Sequence, residues 1–197
     1  MNDNELHPWL RRMMDGDPAA FREVYAATQP FVYRTVYYLS GNKDDVSDIV
    51  SEVYIALIQS LPSYRFEQSF RSWLNGITVR QVSNWRRKLW RIMRLNQRNR
   101  LLTVDMPASL PGERLFEAER DSELLQQVEC LPAKLREVIV LRYYQECSYE
   151  EIAEALNVPE GTVKSRLHSA IAKLRSQIKI GEHSAIGLEG GAEHVHS

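Results

Sequence analysis

Residues 148–175, SYEEIAEALNVPEGTVKSRLHSAIAKLR, constrain the chain more than any other stretch, because they read as two helices joined by a very short turn. Ser148 is a good N-cap and Glu151, three residues on, completes a capping box, so a short helix starts here with Ile152, Ala153 and Leu156 on one face. Asn157 tolerates left-handed backbone, and Pro159 fits the first turn of a new helix better than the interior of an old one. From Glu160 a second helix, advancing about 100° per residue, gathers Val163, Leu167, Ala170, Ile171 and Leu174 on one side. Gly161, Lys164, Ser165 and His168 gather on the other, with Thr162, Arg166 and Ser169 on the flanks. An apolar stripe opposite short polar, cationic and imidazole groups suits a helix that packs on a partner while placing donors in a DNA major groove. A plain amphipathic hairpin with a solvated face would need neither the capping box nor so compact a turn.

Net charge is −1, which alone argues against a nucleic-acid binder, but the charge is segregated. Arg80, Arg86, Arg87, Lys88, Arg91, Arg94, Arg98 and Arg100 follow one another with no acidic residue between them. Residues 105–129 are acidic, and the second helix of the hairpin is basic again. At 197 residues there is room for one or two small domains with real cores. Cys130 and Cys147 lack metal-ligand spacing, which favours a reducing, cytoplasmic setting. The N-terminus has no apolar stretch of signal-peptide type, and no window reaches bilayer length, so no membrane insertion is expected.

In chain order, a short helix through Leu10 and Met14 stops at Gly16, and Asp17-Pro18 caps a helix carrying Phe21, Val24 and Tyr25. Pro30 is expected to restart the chain into an apolar segment, Phe31 to Leu39, ended by Gly41. Residues 42–60 form an amphipathic helix with Val46, Ile49, Val50, Val53, Tyr54, Leu57 and Ile58 inside and Asp44, Asp45, Asp48 and Glu52 outside. A loop bearing Tyr64, Arg65 and Phe66 precedes a long helix with Trp73, Leu74 and Ile77 that runs into Trp85, Arg86, Arg87, Lys88 and Trp90. Tryptophans among cations suit bases that stack while phosphates are held. Periodicity then weakens around Pro107 and Pro111-Gly112. Helices from Ser122 and Pro132 lead to the hairpin, and the Gly-rich stretch from Gly181 is expected to be a disordered tail.

The span from Asp17 to Lys179 resembles a bacterial RNA polymerase sigma factor of the extracytoplasmic-function group, whose members keep only the second and fourth conserved regions. DDVSDIVSEVYIAL resembles the polymerase-binding helix of region 2, and FRSWLNGITVRQVSNWRRK its promoter-melting helix. LPAKLREVIVLRYYQECSYEEIAEALNVPEGTVKSRLHSAIAKLR resembles region 4 almost throughout. The resemblance implies an all-α chain of two small helical domains joined by a flexible linker: region 2-like over 1–95, linker over 96–121, region 4-like over 122–180, tail over 181–197. It implies transcription initiation, of a stress or envelope-response regulon, without catalytic residues, cofactor or metal.

By the same resemblance Asp45, Asp48, Ser51 and Glu52 face the clamp helices of the polymerase largest subunit, and the fourth region meets the flap. Tyr64, Arg65 and Phe66 lie in the loop that captures a flipped base of the −10 element. Arg80, Asn84, Trp85, Arg86, Arg87 and Lys88 grip melted or upstream promoter DNA. Lys164, Ser165, His168 and Ser169 read the −35 element, with Thr162 and Arg166 on phosphates. An anti-sigma factor is a further implied partner. Ser51, Arg80 and Asn84 replace the Gln, Asn and Asp usual in the group, and His168 and Ser169 are short readers, so the promoter sequence stays open. The free protein is expected to be compact, with the acidic linker screening basic surfaces.

Two other classes compete with this one. A free-standing helix-turn-helix regulator with a helical sensory domain explains the C-terminal half but leaves the acidic helix and the Trp-rich basic helix unexplained. A metal-dependent enzyme built on Asp44, Asp45, Asp48, Glu52 and His183, His194 and His196 lacks any His–carboxylate pair at ligand spacing on an ordered helix.

Overall fold

The computed structural model describes residues 3–40, 42–98 and 123–189, and among them the chain is helical with no strand. In order come α1 (Asp3–Met14), α2 (Pro18–Leu39), α3 (Val46–Ser60), a 3₁₀ turn (Leu61–Ser63) and α4 (Phe70–Arg98). After the linker come α5 (Glu123–Glu129), α6 (Ala133–Ile139) with a π-type turn (Val140–Tyr144), α7 (Tyr149–Leu156) and α8 (Glu160–Glu189). The capping box is present: Ser148 Oγ accepts from the Glu151 N–H at 3.1 Å, and Glu151 Oε2 accepts from the Ser148 N–H at 2.7 Å. Asn157 turns the chain with φ 50° and ψ 53°.

Two expectations are corrected. α2 runs unbroken through Pro30, because that residue is exposed and the carbonyl it strands one turn earlier can be solvated. Ile58 does not join the buried stripe of α3 and is 49% exposed. Nine residues separate it from Ile49, which puts the two about 180° apart on a helix. α8 runs as far as Glu189, and residues 190–197 of the expected tail lie outside the described residues. Residues 99–122, which hold the linker beyond Arg98 and most of its acidic run, lie outside the described residues.

The two halves share one continuous apolar cluster, from Leu6 in α1 to Ala170 in α8. The seam between them is closest where α4 crosses α7, because a Cβ on Gly76 would stand 2.9 Å from the carbonyl oxygen of Ala155. Only a residue without a side chain lets the two backbones meet this closely. Around it, Asn75 Nδ2 donates to Cys147 Sγ at 3.3 Å, and Arg71 donates to the Gln145 carbonyl just after the π-type turn. At the other end Tyr38 lies against Tyr144 with centroids 4.1 Å apart, Arg136 donates to the Leu39 carbonyl at 3.3 Å, and Lys43 pairs with Glu129 at 2.6 Å.

Gly76→Leu should therefore part the halves without unfolding either one. Leu raises intrinsic helix propensity by about 0.8 kcal/mol, so circular dichroism should hold or gain helicity. Small-angle scattering should show a radius of gyration growing by several Å from the roughly 16 Å expected for a compact chain of this length. An unchanged radius would mean that the seam tolerates the side chain.

Candidate polymerase and nucleic-acid interfaces

α3 turns one face outward, and it is mixed rather than purely acidic. Asp48, Ser51 and Glu52 are exposed, and Asp45 is the half-buried residue preceding the helix. On the same side lie Ile55 and Ile58, 48% and 49% exposed. Two half-exposed isoleucines beside carboxylates form the pattern of a protein interface, in which apolar area supplies affinity and charge supplies orientation. Ile55 was missed at the sequence level, although its seven-residue spacing from Asp48 places it on the same face.

α4 divides its surface three ways. Phe70, Leu74, Ile77 and Val82 enter the core, while Asn75, Gly76 and Arg86 sit toward the second half. Arg80, Asn84, Arg87 and Arg91 recur at helical spacing on the exposed side. Arg87 donates to Asn84 Oδ1 at 2.6 Å, which fixes both heads along that stripe. Beside them a cleft of ≈ 580 Å³ between α3 and α4 is lined by Glu52, Gln81, Asn84, Trp85, Lys88 and Arg91. Trp85 is half-buried with Lys88 Nζ 4.9 Å from its ring centre, and Trp90 is 67% exposed.

Arg86 stands apart from its neighbours in sequence. It pairs with Glu137 of α6 at 3.2 Å. Burial pushes the Glu137 carboxyl above its ordinary range, and the charges of Arg86 and Arg166 pull it back. Arg166 is thus half-buried near a carboxylate, whereas Lys164, Ser165, His168 and Ser169 form an exposed face on α8. Thr162 is half-buried, and its carbonyl accepts from Ser165 Oγ at 3.0 Å. Ser169 Oγ donates to the Ser165 carbonyl at 2.9 Å, and Lys164 pairs with Glu160 one turn away.

The loop residues are unequal. Tyr64 is 4% exposed, its ring 4.8 Å from Trp73 and its hydroxyl donating to the Gln68 carbonyl at 2.8 Å. Desolvation, with the charges of Asp3, Glu154 and Glu67, pushes its phenol up to about 12. Phe66 is half-buried and Arg65 exposed. A cleft of ≈ 860 Å³ here is lined by Arg65, Glu67, Gln68 and Ser69 and, from α7, by Glu154.

These elements define an all-helical protein that joins a mixed acidic and apolar face, a basic aromatic helix and a helix-turn-helix. Residues 24–92 match the profile of sigma-70 region 2, and residues 121–174 that of sigma-70 region 4. The extracytoplasmic-function sigma factor SigW of Bacillus subtilis is 27% identical, over 86% of this chain and 95% of its own length. SigE of Mycolicibacterium smegmatis is 33% identical, over 78% of this chain and 59% of its own. The sigma-E factor of Escherichia coli K12 is 29% identical, over 86% and 92%. Two solved folds agree at a TM-score of 0.62 and 21% identity: RpoE with the anti-sigma factor NepR from Bartonella quintana, and CnrH with the cytosolic domain of CnrY. The first covers 81% of this chain and 97% of its own, the second 87% and 96%. The chain belongs to the sigma-70 family, with the region 2 and region 4 organisation of its extracytoplasmic-function group. It is thus an RNA polymerase-binding factor for promoter-specific initiation, and the free-standing regulator is not favoured.

Cys147 reports on the seam. Burial beneath α4 pushes its thiol up from 9.0 to about 11, whereas Cys130 is exposed. The docked form thus holds the thiol proton more tightly than an undocked one. This contribution to docking is constant below pH 9, weakens as pH rises, and is lost by about pH 11. Near neutral pH a maleimide should label Cys130 at once and Cys147 at least about 100-fold more slowly, and Gly76→Leu should remove most of that protection. Equal rates in the unaltered protein would contradict the docked seam.

Proposed function

We propose that the first half, through Arg98, holds core polymerase with the outward face of α3 and the melted −10 strand with α4 and the 64–69 loop, while α8 reads the −35 duplex. The partition of α4 is the observation that supports this most. One helix carries an exposed cationic stripe, Arg80, Asn84, Arg87 and Arg91, next to an aromatic cleft that abuts Glu52 of the polymerase face. In this reading Asp45, Asp48, Ser51, Glu52 and Ile55 meet the clamp helices, Trp85 and Lys88 hold unpaired bases and phosphates, and Arg86 serves the seam in the closed chain.

The closed packing is, in this proposal, the resting form. The −10 and −35 elements lie about 25 base pairs apart, or about 85 Å of duplex at 3.4 Å per step. Two domains pressed together at Gly76 do not straddle that distance. About two dozen residues separate Arg98 from Glu123, and a chain of that length reaches at most about 80 Å. Opening would uncover both α4 and α7, and an anti-sigma factor, as in the complexes of the structural neighbours, would hold one arrangement over the other. The setting would be the cytoplasm and the output a stress or envelope-response regulon.

The test is assembly. Asp48→Arg with Glu52→Arg should reduce core affinity at least about 100-fold, and Ile55→Ser about tenfold, with thermal midpoints nearly unchanged because these side chains are exposed. Gel shifts of promoter DNA should require core polymerase. Unaltered core affinity in the charge-reversed protein would remove α3 from the interface.

A further inference from the structure

α1 lies upstream of the region 2 match, which begins at residue 24, and no role above uses it. Yet it is tied to the promoter loop along its length. Asp3 caps α4, its Oδ2 accepting from the Phe70 N–H at 2.9 Å. One turn on, the His7 ring stands 5.1 Å from Phe66 at 86° and 6.2 Å from Tyr64 at 62°. His7 Nε2 is also 3.4 Å from the Tyr64 hydroxyl. One turn further, the Arg11 guanidinium lies 4.9 Å from the Phe66 ring centre. Positions 3, 7 and 11 form a single stripe on a helix, so α1 presents a cap, an imidazole and a guanidinium in line to the loop.

We propose that α1 completes the base-capture site, with Arg11 as a phosphate-binding residue beside the captured nucleotide and His7 as a positioning residue that fixes Phe66. The inference rests on the reading of the 64–69 loop given above. Tyr64 is sunk in the core, so Phe66 is the loop aromatic still within reach of a base, and its ring is held by residues from α1. A guanidinium stacked on a ring keeps its in-plane N–H donors open to phosphate oxygens, and a nucleotide turned out of the stack needs its backbone held next to the pocket. Arg11 and Arg65 then bracket Phe66 with positive charge. That charge matters because Asp3, Glu154 and Glu67 all act on the Tyr64 hydroxyl, and carboxylates alone would repel DNA. Glu154 belongs to α7 and would leave with it when the halves part.

The test uses holoenzyme reconstituted with the unaltered chain, Arg11→Gln, Arg11→Lys, His7→Gln or Arg65→Ala. Each is titrated, at several salt concentrations, onto fork-junction DNA carrying each base in turn at every −10 position. Arg11→Gln should weaken binding about fivefold to tenfold whatever the base and flatten the salt slope by about one, and Arg11→Lys should restore the slope. His7→Gln should leave the slope alone and reduce preference about fivefold at the one position where Arg65→Ala also reduces it. If Arg65→Ala loses discrimination while Arg11→Gln and His7→Gln change nothing, α1 is excluded and the loop reading stands. If Arg65→Ala also changes nothing, both fail. A His7→Gln loss equal at every position, with a lowered thermal midpoint, would make His7 a purely structural residue and overturn its assignment.

Discussion

The backbone of α4 approaches that of α7 so closely at Gly76 that a single methyl group would collide with the Ala155 carbonyl oxygen, and this contact decides which surfaces of α4 remain available. With the seam closed, the Asn75 and Gly76 side of the helix is spent on the second half and the Arg80, Asn84, Arg87 and Arg91 side faces out. The hydrogen bonds and ion pairs around the seam act as guides more than glue. Lys43 with Glu129 is partly solvated, and a pair of that kind contributes about 1 kcal/mol or less, while the buried Glu137 gives up in desolvation much of what its pairing with Arg86 returns. Apolar area from both halves, merged into one cluster, supplies the attraction, and Gly76 lets it close.

Such a seam suits the opening proposed above. A seam built on buried Leu and Phe alone would be hard to open. Here buried polar groups are mixed in, among them Asn75 and Gln145, whose Oδ1 and Nε2 lack a protein partner in the closed form and gain water when the halves part. The α3 face proposed to meet core polymerase lies off the seam, which leaves it open to core enzyme while the chain is closed. The face of α8 proposed to read DNA is exposed as well. The loop is different: Glu154 lines its cleft only while α7 is docked, which places a carboxylate where the phosphate backbone of a captured nucleotide would approach.

Helices with periodic apolar faces or side-chain caps were legible in the sequence: the Ser148–Glu151 box, the Asn157 turn and the buried stripe of α3 each follow from local chemistry. The seam was not. A glycine inside a helix reads only as a small propensity cost, and Asn75 reads as a solvated polar residue, because its partner Cys147 lies more than 70 positions away. Ile58 was misplaced because it lies next to a genuine stripe, and Pro30 because its local preference for breaking a helix was outweighed by packing on both sides. In the site, residue type identified the basic run of α4, but only tertiary structure separates Arg86, turned to Glu137, from Arg87, turned to solvent.

Opening at the α4–α7 seam is, in this proposal, required for transcription. It can be tested in a chain with Cys130 and Cys147 replaced by Ser and with Arg86→Cys and Glu137→Cys, the partners that meet at 3.2 Å, joined by a short bis-maleimide. Core polymerase carrying the joined protein should bind normally but produce no run-off transcript from a promoter with both elements, while the same protein capped with a mono-maleimide at both positions should transcribe. Equal transcription from the joined and capped proteins would contradict the account.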